Sequence, residues 1–242
     1  MLYERAMVLR GLVAPRWRRR LRMSGFEHVK AGIEAGKGVI LWTQPCLGSN
    51  LCVKQALHDS GYPLAHLTRP SHGFSPSDFG IRFANPVLRH AESRFLAERV
   101  VIDAGNSIRP LRRMRALLRE NRVISITVSS ASSRILESPF LGGTLLLPAG
   151  PIELAAQNGS VILPVFTVGS GRTVNVIFGP ALPVGDGKRL SVEDAHETVT
   201  SWLAELIAAH PLDWIGWRAD TFRPGLSNPA YTPGQPNSEI GI

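Results

Sequence analysis

Two stretches of this sequence hold side chains whose types and spacing could do chemistry. His72 and Asp78 lie in residues 69–80, a run dense in Gly, Pro and Ser that follows a short apolar segment. An imidazole and a carboxylate in a polar loop at a strand end could form a general-base pair, in which the ring takes a proton and the acid orients it. The structural alternative gives His72 a loop hydrogen bond and makes Asp78 the cap of the following helix. The second stretch is Gln44, Pro45, Cys46, Leu47, Gly48 and Ser49, after the apolar residues 39–43. Glutamine is no base near neutral pH. The Cys46 thiol becomes a nucleophile if a helix N-terminus lowers its pKa, whereas most small buried cysteines are inert. His28, His58, His66, His90, His196 and His210 have no comparable context, and His58 falls on the solvent side of a helix.

These side chains need a scaffold, and the periodicity supplies one. Residues 39–43 read as a buried strand that breaks at Pro45 and gives way to a helix over 49–60, stopped by Gly61. Such strand–turn–helix corners face the ligand crevice of α/β proteins and offer free backbone N–H groups. A helix is predicted from Phe26 to Gly36, and strands over 64–68, 100–102 and 123–128. Residues 82–96 read weakly as helical, with Pro86 interrupting. The helix over 107–120 shows an apolar stripe of Ile108, Leu111, Met114, Leu117 and Leu118, with its arginines largely off the stripe. After a Ser-rich loop at 129–133, a helix over 152–158 ends at Gly159, and strands over 161–168 and 173–178 form a hairpin around 169–172. A last amphipathic helix spans 192–209. The predicted class is α/β: a single domain with a mixed, mostly parallel central sheet flanked by helices.

Composition narrows the partners. The 242 residues, 44% hydrophobic and 19% charged, are enough for a sizeable core, and the formal net charge of +8 points to an anionic partner. Two cysteines, both in the strand–turn–helix unit, argue against a disulfide framework. No signal peptide is evident at 1–13, which Glu4, Arg5 and Arg10 interrupt, and no apolar run is long enough to span a bilayer. Residues 1–25 combine Trp17 and aliphatic residues with Arg10, Arg16, Arg18, Arg19, Arg20 and Arg22, in two pieces divided by Pro15, either of which could be helical. This is the make-up of a segment that lies on an anionic membrane; a packed helix with a solvated arginine face is the alternative. The expected organisation is therefore a membrane-associating segment at 1–25, an α/β domain at 26–223 and a tail at 224–242. The arginines are not interleaved with stacking aromatics, which speaks against nucleic acid as a partner.

Three further motifs carry a resemblance. Pro139-Phe140-Leu141-Gly142-Gly143, then Pro148-Ala149-Gly150-Pro151 entering a Leu-Ala helix, then a strand through Pro164-Val165-Phe166 resemble the third block of the lysophospholipid acyltransferase superfamily. His210-Pro211-Leu212-Asp213-Trp214-Ile215-Gly216-Trp217 is similar to the Pro-x-x-Trp-x-Trp close of its lipid A biosynthesis (lauroyl/myristoyl) branch, and Gly61-Tyr62-Pro63 with Thr68-Arg69-Pro70 to its second block. The likeness covers residues 25–218. It implies a glycerolipid-acyltransferase-like fold and transfer of an acyl chain, from acyl carrier protein or acyl-CoA, to a hydroxyl of a lipid or saccharolipid. It also implies a peripheral location on the cytoplasmic side of the inner membrane, and no cofactor beyond the thioester donor. The family's His-x4-Asp/Glu motif is degenerate here: Gln44, Pro45 or Cys46 stands where the histidine belongs, and Ser129 to Ser133 replace a later acid.

What the resemblance implies for the site follows from that gap. His72 and Asp78 become a replacement catalytic dyad. Arg69, and less directly Arg82, become cations for acceptor phosphate, a structural salt bridge being the alternative for Arg69. Gln44, Cys46 and Ser49 line the mouth. Gly142, Gly143 and Gly150 allow close approach and can donate N–H groups to the acceptor or thioester oxygen, or serve as turns. A catalytically silent member that binds lipid or a partner enzyme is the competing reading.

Overall fold

In the computed structural model, which describes residues 20–46, 48–69, 77–102, 107–129, 134–170, 173–182, 192–218 and 221–225, the run Val39–Thr43 is strand β2 at the middle of the molecule. All five of its residues are buried, as a strand covered on both faces requires. It pairs in parallel with β5 (Val123–Thr127) on one side and β8 (Val161–Ser170) on the other. Beyond β5 lie β3 (Leu64–Thr68) and β4 (Glu98–Val101), also parallel. Beyond β8 comes β9 (Thr173–Phe178), its antiparallel hairpin partner, and then β1 (Arg20–Ser24) at the edge. The sheet order is β1-β9-β8-β2-β5-β3-β4. The α/β class with a mixed, mostly parallel sheet is what the structure has.

Strand alternation divides β2 between two apolar layers. Val39 and Leu41 pack with α1 (Phe26–Glu34) and α2 (Ser49–Asp59), through Val29, Cys52, Val53, Ala56 and Leu57. Ile40 and Trp42 face the other way, toward α4 (Ile108–Arg119), α5 (Gly150–Asn158) and α6 (Val192–Ala209). Helix α3 (Asn85–Ser93) lies outside both, with its own small contact of Leu88 and Ala91.

Several expectations need correction. Arg20–Ser24 is not part of a helical basic segment but edge strand β1, in parallel register with β9; exposed arginines there keep the edge from pairing with another chain. The rest of that segment, residues 1–19, is outside the described residues. Pro86 interrupts nothing. The helical run continues through it, from the π-helical turn Gly80–Ala84 straight into α3, so the missing N–H of Pro86 follows the widened turn rather than ending the helix. Ile108, the first residue of the apolar stripe of α4, is 64% exposed at the helix start, while Met114, Leu117 and Leu118 are buried.

The largest departure is a second sheet. Residues 139–143, where turns were the alternative role of the glycines, and Pro148 belong to a hairpin of β6 (Ile135–Phe140) and β7 (Gly143–Pro148), extended by β10 (Phe222–Pro224) in the order β10-β7-β6. Pro224, assigned to the tail, is the last residue of β10. Residues 226–242 are outside the described residues. Among the described residues no helix is long and apolar enough to cross a membrane.

Candidate functional site

The carboxyl end of β2 is closed by a compact arrangement of backbone bonds. Gln44 continues the strand by donating its N–H to Val165 O at 2.9 Å, and Cys46 N then turns back to Gln44 O at 2.9 Å. Cys46 bridges to Trp214, and Ile215 N donates to Pro45 O at 2.7 Å, so the segment after α6 is laced across the turn. Trp214 anchors a cluster of rings, with Trp217 at 4.7 Å, Phe140 at 5.7 Å and Phe222 at 6.0 Å between centroids. Asp213 secures the same segment by accepting from Gly169 N at 2.9 Å. The second sheet and the closing tryptophans therefore cover one face of the turn, and Gly48, in the left-handed region at φ 76°, starts α2 on the other side.

Within this enclosure Gln44 is fully buried, and neither atom of its carboxamide has a hydrogen-bond partner. Which atom is oxygen and which nitrogen does not affect that statement. Alternation along β2 carries the side chain to the Trp42 face. On that face Trp42 Nε1, Trp214 Nε1 and Thr221 Oγ1 are also buried without partners. A polar group left unsatisfied in the interior costs about 1–3 kcal/mol; Thr68, Arg99, Arg115 and His196 each hold one such atom elsewhere, and Gln44 stands apart in having both atoms of its carboxamide unbonded. A carboxamide offers one donor group and one acceptor. It can hold a hydroxyl through its proton, or a carbonyl through its oxygen, but it removes a proton from neither.

Cys46 is a correction. Its side chain is 1% exposed in the core with Trp42, Phe140 and Trp214. Burial pushes its thiol far above the ordinary range; hydrogen bonding from Thr167 opposes that only in part, and the Asp213 charge adds to it. It is a packed, protonated thiol rather than a nucleophile, and like the equally buried Gln44 it lines no open mouth. Ser49 opens α2, but its side chain is outside the described residues.

The remaining candidates divide in the same way. His72 is outside the described residues. Asp78 is exposed in the first helical turn, and the cap expected of it is made by Ser77, whose Oγ accepts from Gly80 N at 3.1 Å. Arg69 is exposed immediately after β3, and Arg82 is exposed on the π-helical turn with its guanidinium 5.5 Å from the Phe83 ring centroid. Gly142, at φ 79°, makes the turn of the β6–β7 hairpin and faces open space. Gly143 is a second correction: a Cβ there would stand 2.4 Å from Arg223 O and 2.6 Å from the Phe222 ring, so its small size serves the approach of β10. Gly150, at the start of α5, is exposed with nothing near its missing Cβ.

Two polar groupings were invisible from sequence. Ser125, His66 and Arg99 are in register across β5, β3 and β4, with His66 Nδ1 and Ser125 Oγ 2.8 Å apart. Against them lies Glu92 of α3, bonded to Arg99 at 2.9 Å and to Lys54 of α2 at 2.8 Å, with Lys54 and Glu92 both buried. On the opposite face, His196 of α6 shares a 3.0 Å hydrogen bond with Ser138 of β6. Burial lowers its pKa, offset in part by the Glu193 charge and the Leu136 backbone. Among the described residues no group of three His, Cys, Asp or Glu is gathered to hold a metal ion.

Comparison with known proteins gives this geometry a context. No protein-family model matches the chain. Over 193 residues it is 26% identical to the phosphatidylinositol mannoside acyltransferase of Mycobacterium tuberculosis, in strains H37Rv and CDC 1551 alike. The similarity is to an acyltransferase. It takes in 79% of this chain and 57% of the relative, so the chain spans less than two thirds of that protein's length. Among solved structures, the 1-acyl-sn-glycerophosphate (LPA) acyltransferase PlsC from Thermotoga maritima aligns with a TM-score of 0.45 and 14% identity, over 86% of this chain and 78% of that one.

Proposed function

We propose that this chain binds an acyl thioester and a lipid or saccharolipid hydroxyl at a membrane surface and transfers the acyl chain between them. The observation that carries the reading is the buried, unsatisfied Gln44 carboxamide at the carboxyl end of the central strand, on a chain similar in sequence to a lipid acyltransferase. A phosphatidylinositol mannoside, the lipid in that relative's name, is an acceptor of the proposed class. In this scheme Gln44 holds the acceptor hydroxyl or the thioester carbonyl, Arg69 and Arg82 serve acceptor phosphate, and the backbone at Gly150 supports the developing oxyanion. The proton goes to His72, oriented by Asp78. The hydroxyl oxygen then adds to the thioester carbonyl, the C–S bond of the adduct breaks as the ester forms, and the departing thiolate takes the proton from His72. Acyl carrier protein or acyl-CoA supplies the thioester, no other cofactor is needed, and the site works peripherally at the cytoplasmic side of the inner membrane.

The second reading is a silent member that binds lipid or a partner without turnover. Gln44 is not a base and the Cys46 thiol is held protonated, which favours it. Purified protein incubated with acyl-CoA or acyl carrier protein thioester and lipid acceptors separates the two. Transfer that falls roughly 10²–10⁴-fold in His72→Ala supports the enzyme, since a positioned base contributes that much. Saturable thioester or lipid binding with no product supports the silent reading.

A further inference from the structure

The helix that joins β3 to β4 has its largest apolar side chains on the outside. Its inner face is conventional: Asn85, Leu88, Ala91 and Glu92 are buried. On the outer face Phe79 is 72% exposed and Phe83 56% exposed, their rings in contact at 5.0 Å between centroids. Residues four apart lie on one side of a helix, which brings the two rings into contact there. Arg82 stands against the Phe83 ring at 5.5 Å, and Pro86 and His90 continue the exposed side. The neighbouring strand contributes more of the same at this end of the sheet. Val101, in register with Thr68, is 47% exposed, and Ile108, at the start of the next helix, is 64% exposed. Arg109 and Arg112 follow on α4, both exposed. Two exposed phenylalanines in ring contact, with Val101 and Ile108 exposed at the same end of the sheet, form an apolar patch of the kind that takes a partner.

The charge decides which partner. The exposed side of this corner is mostly cationic, and the whole chain carries +8. A symmetric contact with a second copy would bring Arg82 toward its own counterpart, whereas an anionic bilayer satisfies aromatic and guanidinium groups together. We infer that Phe79 and Phe83 insert into an anionic bilayer with Arg82 on the lipid phosphates, making the start of this helix a docking surface. The inference rests on the membrane-surface reading above and specifies which face of the fold meets the lipid. It places the carboxyl end of β3, where Arg69 lies, beside the membrane.

Site-selective labelling tests it, because Cys46 and Cys52 are both buried and leave an introduced thiol as the reactive one. The full chain carrying Phe83→Cys, labelled with an environment-sensitive fluorophore, is mixed with vesicles of phosphatidylcholine alone or with phosphatidylglycerol added. The same label at Ser201→Cys, exposed on α6 on the other face of the sheet, is the control. The expected result is a blue shift at position 83 with anionic vesicles only and none at position 201. Phe79→Ser/Phe83→Ser should weaken vesicle binding by about tenfold or more without altering the circular dichroism spectrum. Vesicle binding with a silent label at 83 and an unaffected double variant overturns this surface while leaving the lipid reading intact. No vesicle binding by the unmodified chain overturns both. A double variant that loses self-association rather than lipid binding assigns the face to a second copy and overturns the proposal.

Discussion

On the α2 face of the central sheet, Lys54, Arg99 and Glu92 are drawn together at 2.8 and 2.9 Å, and His66 is matched by Ser125. On the opposite face, at the end of β2, the Gln44 carboxamide and the nearby Trp42, Trp214 and Thr221 groups are buried with nothing bonded to them. Both regions bury polar groups, and burial without a partner is costly in either place. The difference is that the first set is charge-paired within the protein, with only Arg99 Nη1 left unbonded there, whereas neither atom of the Gln44 carboxamide has any partner. The first ties α2, α3 and the β3–β4 edge together, and so supports the corner from which Arg69 and the phenylalanine pair project. The second provides hydrogen-bonding capacity that the fold itself does not use.

Breaking the paired region should have the largest effect. Glu92→Ala leaves Lys54 buried beside Arg99 without the carboxylate between them, and is expected to lower stability by about 3–5 kcal/mol, measured by urea unfolding. Next, Ser125→Ala removes the hydroxyl on the buried His66 ring and should reduce stability by about 1–3 kcal/mol in the same assay. A smaller effect is expected where the pairing is partial, at His196. Burial favours its neutral ring, so the unfolded chain takes up the proton first as pH falls below the ordinary 6.5. Stability should therefore be full above that value, decline as pH drops toward the depressed folded value, and level off beneath it. His196→Gln should flatten that part of the pH–stability curve.

The legibility of these regions from sequence differs for physical reasons. Strands with a continuous apolar run, such as Val39–Thr43 and Val123–Thr127, and the long helix Val192–Ala209, declare themselves by period and by turn residues at their ends. The β6–β7 hairpin did not. Pro139 and Pro148 are strand residues there, and a short two-residue turn at Leu141 and Gly142 resembles any Gly-rich loop. β1 was masked by its arginines, which an edge strand tolerates well. Helix α2 is buried over 52–57 because it is enclosed on more than one side, so no periodic stripe marked Lys54 as interior. The turn at Gln44 was legible as a strand–turn–helix corner, and the absence of histidine and acid in it was plain. That Cys46 is core, and that Gln44 is buried and unbonded, depends on Trp214 arriving from 168 residues further on, which no local pattern carries.

Replacing Gln44 by methionine tests the central contrast most directly, with urea unfolding of the purified variant as the readout. If the carboxamide serves a ligand and contributes nothing to the fold, the apolar side chain of similar shape leaves stability unchanged or raises it by about 1 kcal/mol. A loss of about 2 kcal/mol or more would mean that Gln44 belongs to the paired kind of polar group, and would contradict the account.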